Sequence, residues 1–166
     1  MANDTYIYDG LNEVQTRLEL KLGASVDVVR IINDYNHDYF LDQKSNNKAV
    51  FVFISLLTSP ISRDAHNSRL NITVKPSLSI QVYSVIKQKN ETNMKLANQI
   101  ATQIKKYLNG FKTTNWGVLH VPVTGGNNTP MAVYLSEQTH IGWGVEFPVE
   151  GLVKLDTGNI TITSTT

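Results

Sequence analysis

Apolar side chains recur every three or four residues between Glu91 and Leu108. At roughly 100° per residue, Met94, Leu96, Ala97, Ile100, Ala101, Ile104, Tyr107 and Leu108 share one arc of about 160°. Lys95, Asn98, Gln99, Thr102, Gln103, Lys105 and Lys106 fill the remainder, so the stretch reads as a helix over about 91–108 with one buried face. Asn90 suits its N-cap, Lys105 and Lys106 suit its negative end, and Asn109-Gly110 supplies a left-handed stop. Leu11, Val14, Leu18 and Leu22 repeat the same spacing after a capping Asp9, with Glu13 and Arg17 placed for an i,i+4 ion pair and Gly23 as the end.

Elsewhere the period falls to two. Leu78, Ile80 and Val82 alternate with Ser79, Gln81 and Tyr83. Ile141, Trp143, Val145, Phe147 and Val149 alternate without a miss, and Gly142 and Gly144 on the other side point to a close backbone or a bend. Val50–Leu57 is apolar on both faces and predicts a central strand buried on two sides. Shorter strands are expected over Ser25–Ile32, over Leu119–Val123 as an edge marked by Pro122, and through Met131, Val133 and Leu135. Pro76 splits one apolar stretch into a short lead-in and a main strand. Thr124–Pro130 reads as a flexible hairpin tip, and the Thr-rich tail 157–166 as an extra edge strand or a segment ordered on contact. Two one-sided helices, N-terminal and 91–108, require a sheet beneath them, so the pattern predicts an α+β fold with a mixed, mainly antiparallel sheet. The core is assigned to Met94, Ala97, Ile100, Ile104, Leu108, Trp143, Val145 and Phe147. A length of 166 residues without an internal repeat or linker is read as a single domain, 1–166.

Composition narrows the function. A net charge of +1 gives no case for nucleic acid or an anionic membrane, and the longest apolar run is too short to span a bilayer as a helix. No cysteine means no disulfide, thiolate metal site or cysteine nucleophile. The start of the chain has no basic and apolar signal segment, so none is expected. Only 17% of residues are charged, which suits either a surface that faces other protein copies or a plain Asn- and Thr-rich composition.

Chemistry-bearing patterns are thin. Asp34, Asn36, Asp38 and Asp42 match four positions of a calcium loop, but Tyr39 and Ser45 stand where its Gly and bidentate Glu belong, so a solvated loop is the stronger reading. The four histidines are scattered; His120 and His140 are the two that neighbouring strands could bring together. No nucleophile elbow or paired carboxylate is present, and no enzyme, metal or cofactor is expected. Interface candidates are the loop charges Arg63, Asp64 and Arg69, the tip residues Gly125, Gly126 and Asn127, and Trp116, flanked by Asn115 and Gly117 and read as the surface tryptophan.

The order Val-Phe-Val-Phe-Ile-Ser-Leu-Leu, a polar loop, Lys75-Pro76-Ser77-Leu78 opening Ser-Ile-Gln-Val-Tyr, and an amphipathic helix from near Asn93 resembles the tail-terminator proteins of bacteriophages and the tube-capping proteins of contractile injection systems. The resemblance implies a virion structural protein, assembled in the host cytoplasm. It implies a ring of copies, a hexamer in the family, that ends the tail tube and presents a docking surface to neck or head completion proteins. Another neck ring protein is the nearest alternative. A stand-alone module binding peptide or carbohydrate is the reading from a different class.

Overall fold

The computed structural model describes residues 6–32, 50–58, 61–63, 71–85, 90–122, 127–135, 139–151 and 153–156. Asp34, Asn36, Asp38, Asp42, Asp64, Arg69, Gly125, Gly126 and the tail 157–166 lie outside them. The fold is α+β. Helix α1 spans Tyr6–Leu22, followed by a single 3-10 turn at Gly23–Ser25, where Gly23 takes a positive φ. Strands β1 (Val28–Ile31), β2 (Val50–Thr58), β3 (Ile61–Arg63), β4 (Asn71–Val74) and β5 (Ser77–Ser84) come next. Helix α2 (Asn90–Leu108) follows, then β6 (Asn127–Leu135), β7 (Thr139–Glu150) and β8 (Val153–Asp156).

The main sheet has the order β1-β2-β5-β7-β6, with β1 parallel to β2 and every other pair antiparallel. Both helices lie on one of its faces. There Leu11, Val14 and Leu18 of α1 and Ala97, Ile100, Ile104 and Leu108 of α2 close over Val52, Ile54, Ile80, Val82, Val145 and Phe147. All of these are buried, as the two periods require. The opposite face carries a smaller cluster of Phe51, Phe53 and Val85, with Phe51 and Phe53 stacked 5.8 Å apart. Ser84 and Asn93, both wholly buried, bind each other at 2.9 Å and tie the end of β5 to the start of α2. Lys105 lays its ammonium 4.8 Å from the Phe147 ring centre, and burial lowers its pKa from the ordinary lysine value.

Several expectations change. Helix α1 begins at Tyr6, so Asp9 lies in its first turn instead of capping it, where its charge still suits the positive end. Strand β2 is interior and buried on both faces through Val50–Ile54, but β5 holds the middle of the sheet, and Leu56 and Leu57 emerge into solvent. Residues 119–123 form no strand within the described part; His120 makes only an isolated bridge to Glu150. Strand β6 starts at Asn127, inside the expected hairpin tip, and four steps along it from Asn127 to Met131 oppose two along β7. Pro130 falls within that bulge on an edge strand, where a missing N–H costs least. Met94 and Trp143 are only partly buried, because Met94 lies in the first turns of α2 and Trp143 pairs with Ser84 at the last rung of β5. Gly142 does meet a close backbone, since a Cβ there would stand 2.1 Å from the Ser84 carbonyl oxygen.

The second sheet, order β3-β4-β8, prolongs the first. Thr58 pairs with Ser77 and, three residues on, Ile61 pairs with Val74. Ser77 pairs with Glu150 and, three residues on, Val74 pairs with Val153. The register therefore carries through the break, and β2, β5 and β7 continue as a three-stranded arm. Pro76 marks the break, as the split apolar stretch foretold, but the lead-in β4 belongs to the arm.

Candidate functional site

At the root of the arm stands a tight hairpin, residues 110–119. Gly110 stops α2 at φ 79°, and its N–H donates to the Leu119 carbonyl at 2.9 Å. Lys112 bridges Val118, and Gly117 supplies a second positive φ. Thr113 closes the tip with one hydroxyl used twice: it donates to the Gly117 carbonyl and accepts the Trp116 N–H, both at 2.8 Å.

The hairpin is clamped from α1. The Glu13 carboxylate accepts the backbone N–H of Thr114 at 2.7 Å and of Asn115 at 3.0 Å, and also the Asn115 side-chain amide. Arg17, one turn on, lays its guanidinium 4.7 Å from the Phe111 ring centre. The two residues expected to pair along α1 both serve the hairpin instead. Glu13→Ala should lower stability by about 1–2 kcal/mol, because three donors lose a charged acceptor at a site that water partly reaches. A denaturation midpoint unchanged from the parent protein would show that the clamp is ornamental.

Trp116 is the residue this clamp positions. It is fully buried, which corrects its reading as a surface anchor. Its indole lies on Gly10 so closely that a Cβ there would come within 2.1 Å of the ring, and Gly151, itself beside Pro76, lies against Trp116 on the arm side. The Gly151 N–H donates to the Pro76 carbonyl at 2.9 Å, while His120 and Glu150 exchange two backbone bonds at 2.8 Å. Polar neighbours suggested exposure, but they are the hairpin's turn residues, and the ring between them fills the junction of α1, β5 and β7.

A groove of about 570 Å³ runs between α1 and this hairpin, lined by Asp9, Asn12, Thr16, Arg17, Leu20 and Phe111 with the Glu13 clamp as its wall. Leu20 is 75% exposed, and Arg17 Nε is buried without a hydrogen-bond partner among the described residues. On the far face of the sheet, Glu146 accepts from Ser79 at 2.5 Å and from Gln81 at 3.4 Å, and Tyr83 donates to Gln81. One carboxylate held by neutral donors reads as a structural network. His120 and His140 do not meet: one bridges Glu150 and the other pairs with Tyr134, ten residues back along β7, roughly 33 Å at strand rise. No group of three or more metal-ligating residues occurs among the described residues.

The edges of the main sheet are also guarded. The Val29 carbonyl on β1 accepts both Gln15 Nε2 and Arg30 Nη1 at 3.0 Å, and β6 carries Pro130 in its bulge. Of the other interface candidates, Arg63 ends β3 and Asn127 opens β6, so they lie at opposite ends of the topology. The arm was missed by sequence reasoning, although the alternation Val153-Lys154-Leu155-Asp156 is a faint signal for β8. No family model matches the chain, and no curated protein matches it in sequence.

Proposed function

We propose that this protein is a structural building block that assembles with its own copies into a ring and terminates a phage tail tube, docking the neck or head on its outer surface. The observation that supports this reading is the three-stranded arm, in which β3, β4 and β8 continue the core strands β2, β5 and β7 in register. A ring subunit needs parts that reach its neighbour, and a strand arm is one such part. The order strand, Pro-led strand, amphipathic helix on which the resemblance rests is realised as β2, β5 and α2.

The test is to mix the purified protein with tail tubes and image them by negative stain. Capped tube ends, with rings of fixed diameter, are the expected result; bare ends at saturating protein would overturn the proposal. The groove beside α1 favours one competing reading, a stand-alone peptide-binding module. That protein would stay monomeric with tubes present and would bind a peptide through Arg17 and Leu20.

A further inference from the structure

Arg17 brings to the α1 groove a charge that the fold does not use. It forms no ion pair among the described residues, although Glu13 stands one turn away at the spacing for one. Glu13 is committed to the N–H groups of Thr114 and Asn115 and to the Asn115 amide. The Phe111 ring, 4.7 Å from the guanidinium, attracts the cation without supplying an oxygen acceptor. Arg17 Nε is closed off from water with no hydrogen-bond partner among the described residues, while the side chain as a whole stays partly exposed and lines the groove. A half-buried guanidinium with a donor to spare favours a carboxylate, whose two oxygens match its planar fork.

We infer that the groove is a docking site for an extended segment of a partner protein, one that carries an acidic side chain and, two residues on, a bulky apolar one. The inference rests on the groove alone and not on whether copies of this chain form a ring. Charge complementarity fixes the acidic position. Of the two carboxylates in the groove, Glu13 has its charge met by three N–H donors, and Asp9 lies eight residues from Arg17, roughly 12 Å along the helix. That exceeds the screening length of about 8 Å in physiological salt, so Asp9 repels an acid at Arg17 only weakly and directs it to that end. Leu20, 75% exposed, stands one turn beyond Arg17 and marks the apolar position. Side chains two apart in an extended segment share one side at roughly 6.6 Å, which suits the rise of roughly 4.5 Å from Arg17 to Leu20 plus the reach of an arginine.

Length and lining favour a peptide over a small acid. From Asp9 to Leu20 the helix rises roughly 16 Å, the span of about five extended residues. Asn12, Thr16, Thr114 and Asn115 line the groove between its charged and apolar ends. Their amides and hydroxyls can both donate and accept, as a peptide backbone requires. Thr16 and Thr114 are exposed and the two asparagines partly so, which leaves them within reach of a ligand. With two anchors and no strand addition the contact is weak for a single copy, and several copies side by side strengthen it by avidity. A ring subunit would use it to hold a segment of the neck or head protein it docks; a stand-alone module would use it as its recognition site.

The probe is the blocked pentapeptide acetyl-Ser-Glu-Ser-Leu-Ser-amide, titrated into the full-length protein and followed by amide chemical shifts. Shifts should move over residues 9–20 and 111–115 and stay still in β2 and β5. The same peptide with Gln in place of Glu should bind roughly tenfold more weakly, as the loss of a charge-assisted pair implies. In Arg17→Gln the Glu and Gln peptides should bind alike, whereas Leu20→Ser, at an exposed position, should weaken both and keep the preference for Glu. Should Arg17→Gln lose its fold by circular dichroism, the Glu-against-Gln comparison on the parent protein still decides. Equal binding of those two peptides to the parent, or no shift in the groove at millimolar peptide, would overturn the inference. So would a loss of self-association by sedimentation in Arg17→Gln with peptide affinity unchanged, which would put a second copy in the groove. Tube capping is read separately: capped ends without peptide binding would uphold the terminator reading and defeat this site, and peptide binding with bare ends would do the reverse.

Discussion

Replacing Trp116 with alanine should cost about 3–5 kcal/mol, the range for emptying a buried indole site. A domain of this size holds about 5–15 kcal/mol in total, so the loss is a large share of what keeps it folded. The side chain is fully buried and joins α1 at Gly10 to the break at Pro76 and Gly151. Two effects should therefore travel together: a lower denaturation midpoint, and earlier amide exchange in β8 and the 110–119 hairpin than in β2 and β5. Gly10→Val should reproduce the second effect from the other side, because its added Cβ would stand where the indole now lies. Uniform exchange across the whole chain in Trp116→Ala would show that the ring is ordinary core filler with no special hold on the arm.

The second large effect is expected at Ile104. It is wholly buried in the face of α2 that meets the sheet, in the same cluster as Ile80, Val145 and Phe147. An aspartate there must either desolvate a charge or take up a proton, and it has no partner provided for it. The cost runs to several kcal/mol and removes apolar burial as well. Ile104→Asp should fail to give soluble folded protein. Ile104→Val, which deletes one methyl group, should cost about 0.5–1.5 kcal/mol and stay folded. A stable, cooperatively unfolding aspartate variant, seen by circular dichroism and thermal melts, would mean that α2 presents another face to the sheet.

Much of the architecture could be read from spacing. The faces of α1 and α2 follow from three- and four-residue recurrence, and the strands β5 and β7 from strict alternation. Gly23 and Gly110 do mark the ends of their helices. The candidate site was less visible. Its groove depends on Glu13 and Arg17 turning away from each other toward residues of a distant hairpin. The bond from Glu13 to Asn115 joins positions 102 apart in the chain. A neighbour four residues along a helix can be guessed from a wheel; a partner on the next element cannot.

The sequence by itself determined which residues are helical, which alternate and which face is apolar, because these are set by interactions between residues a few positions apart. Only the tertiary structure decided that β5 holds the centre, that Trp116 is a buried wedge, and that β3, β4 and β8 prolong three core strands as one arm. Those outcomes depend on register and packing between segments far apart in the chain, where many pairings satisfy the same local pattern and close fit selects one.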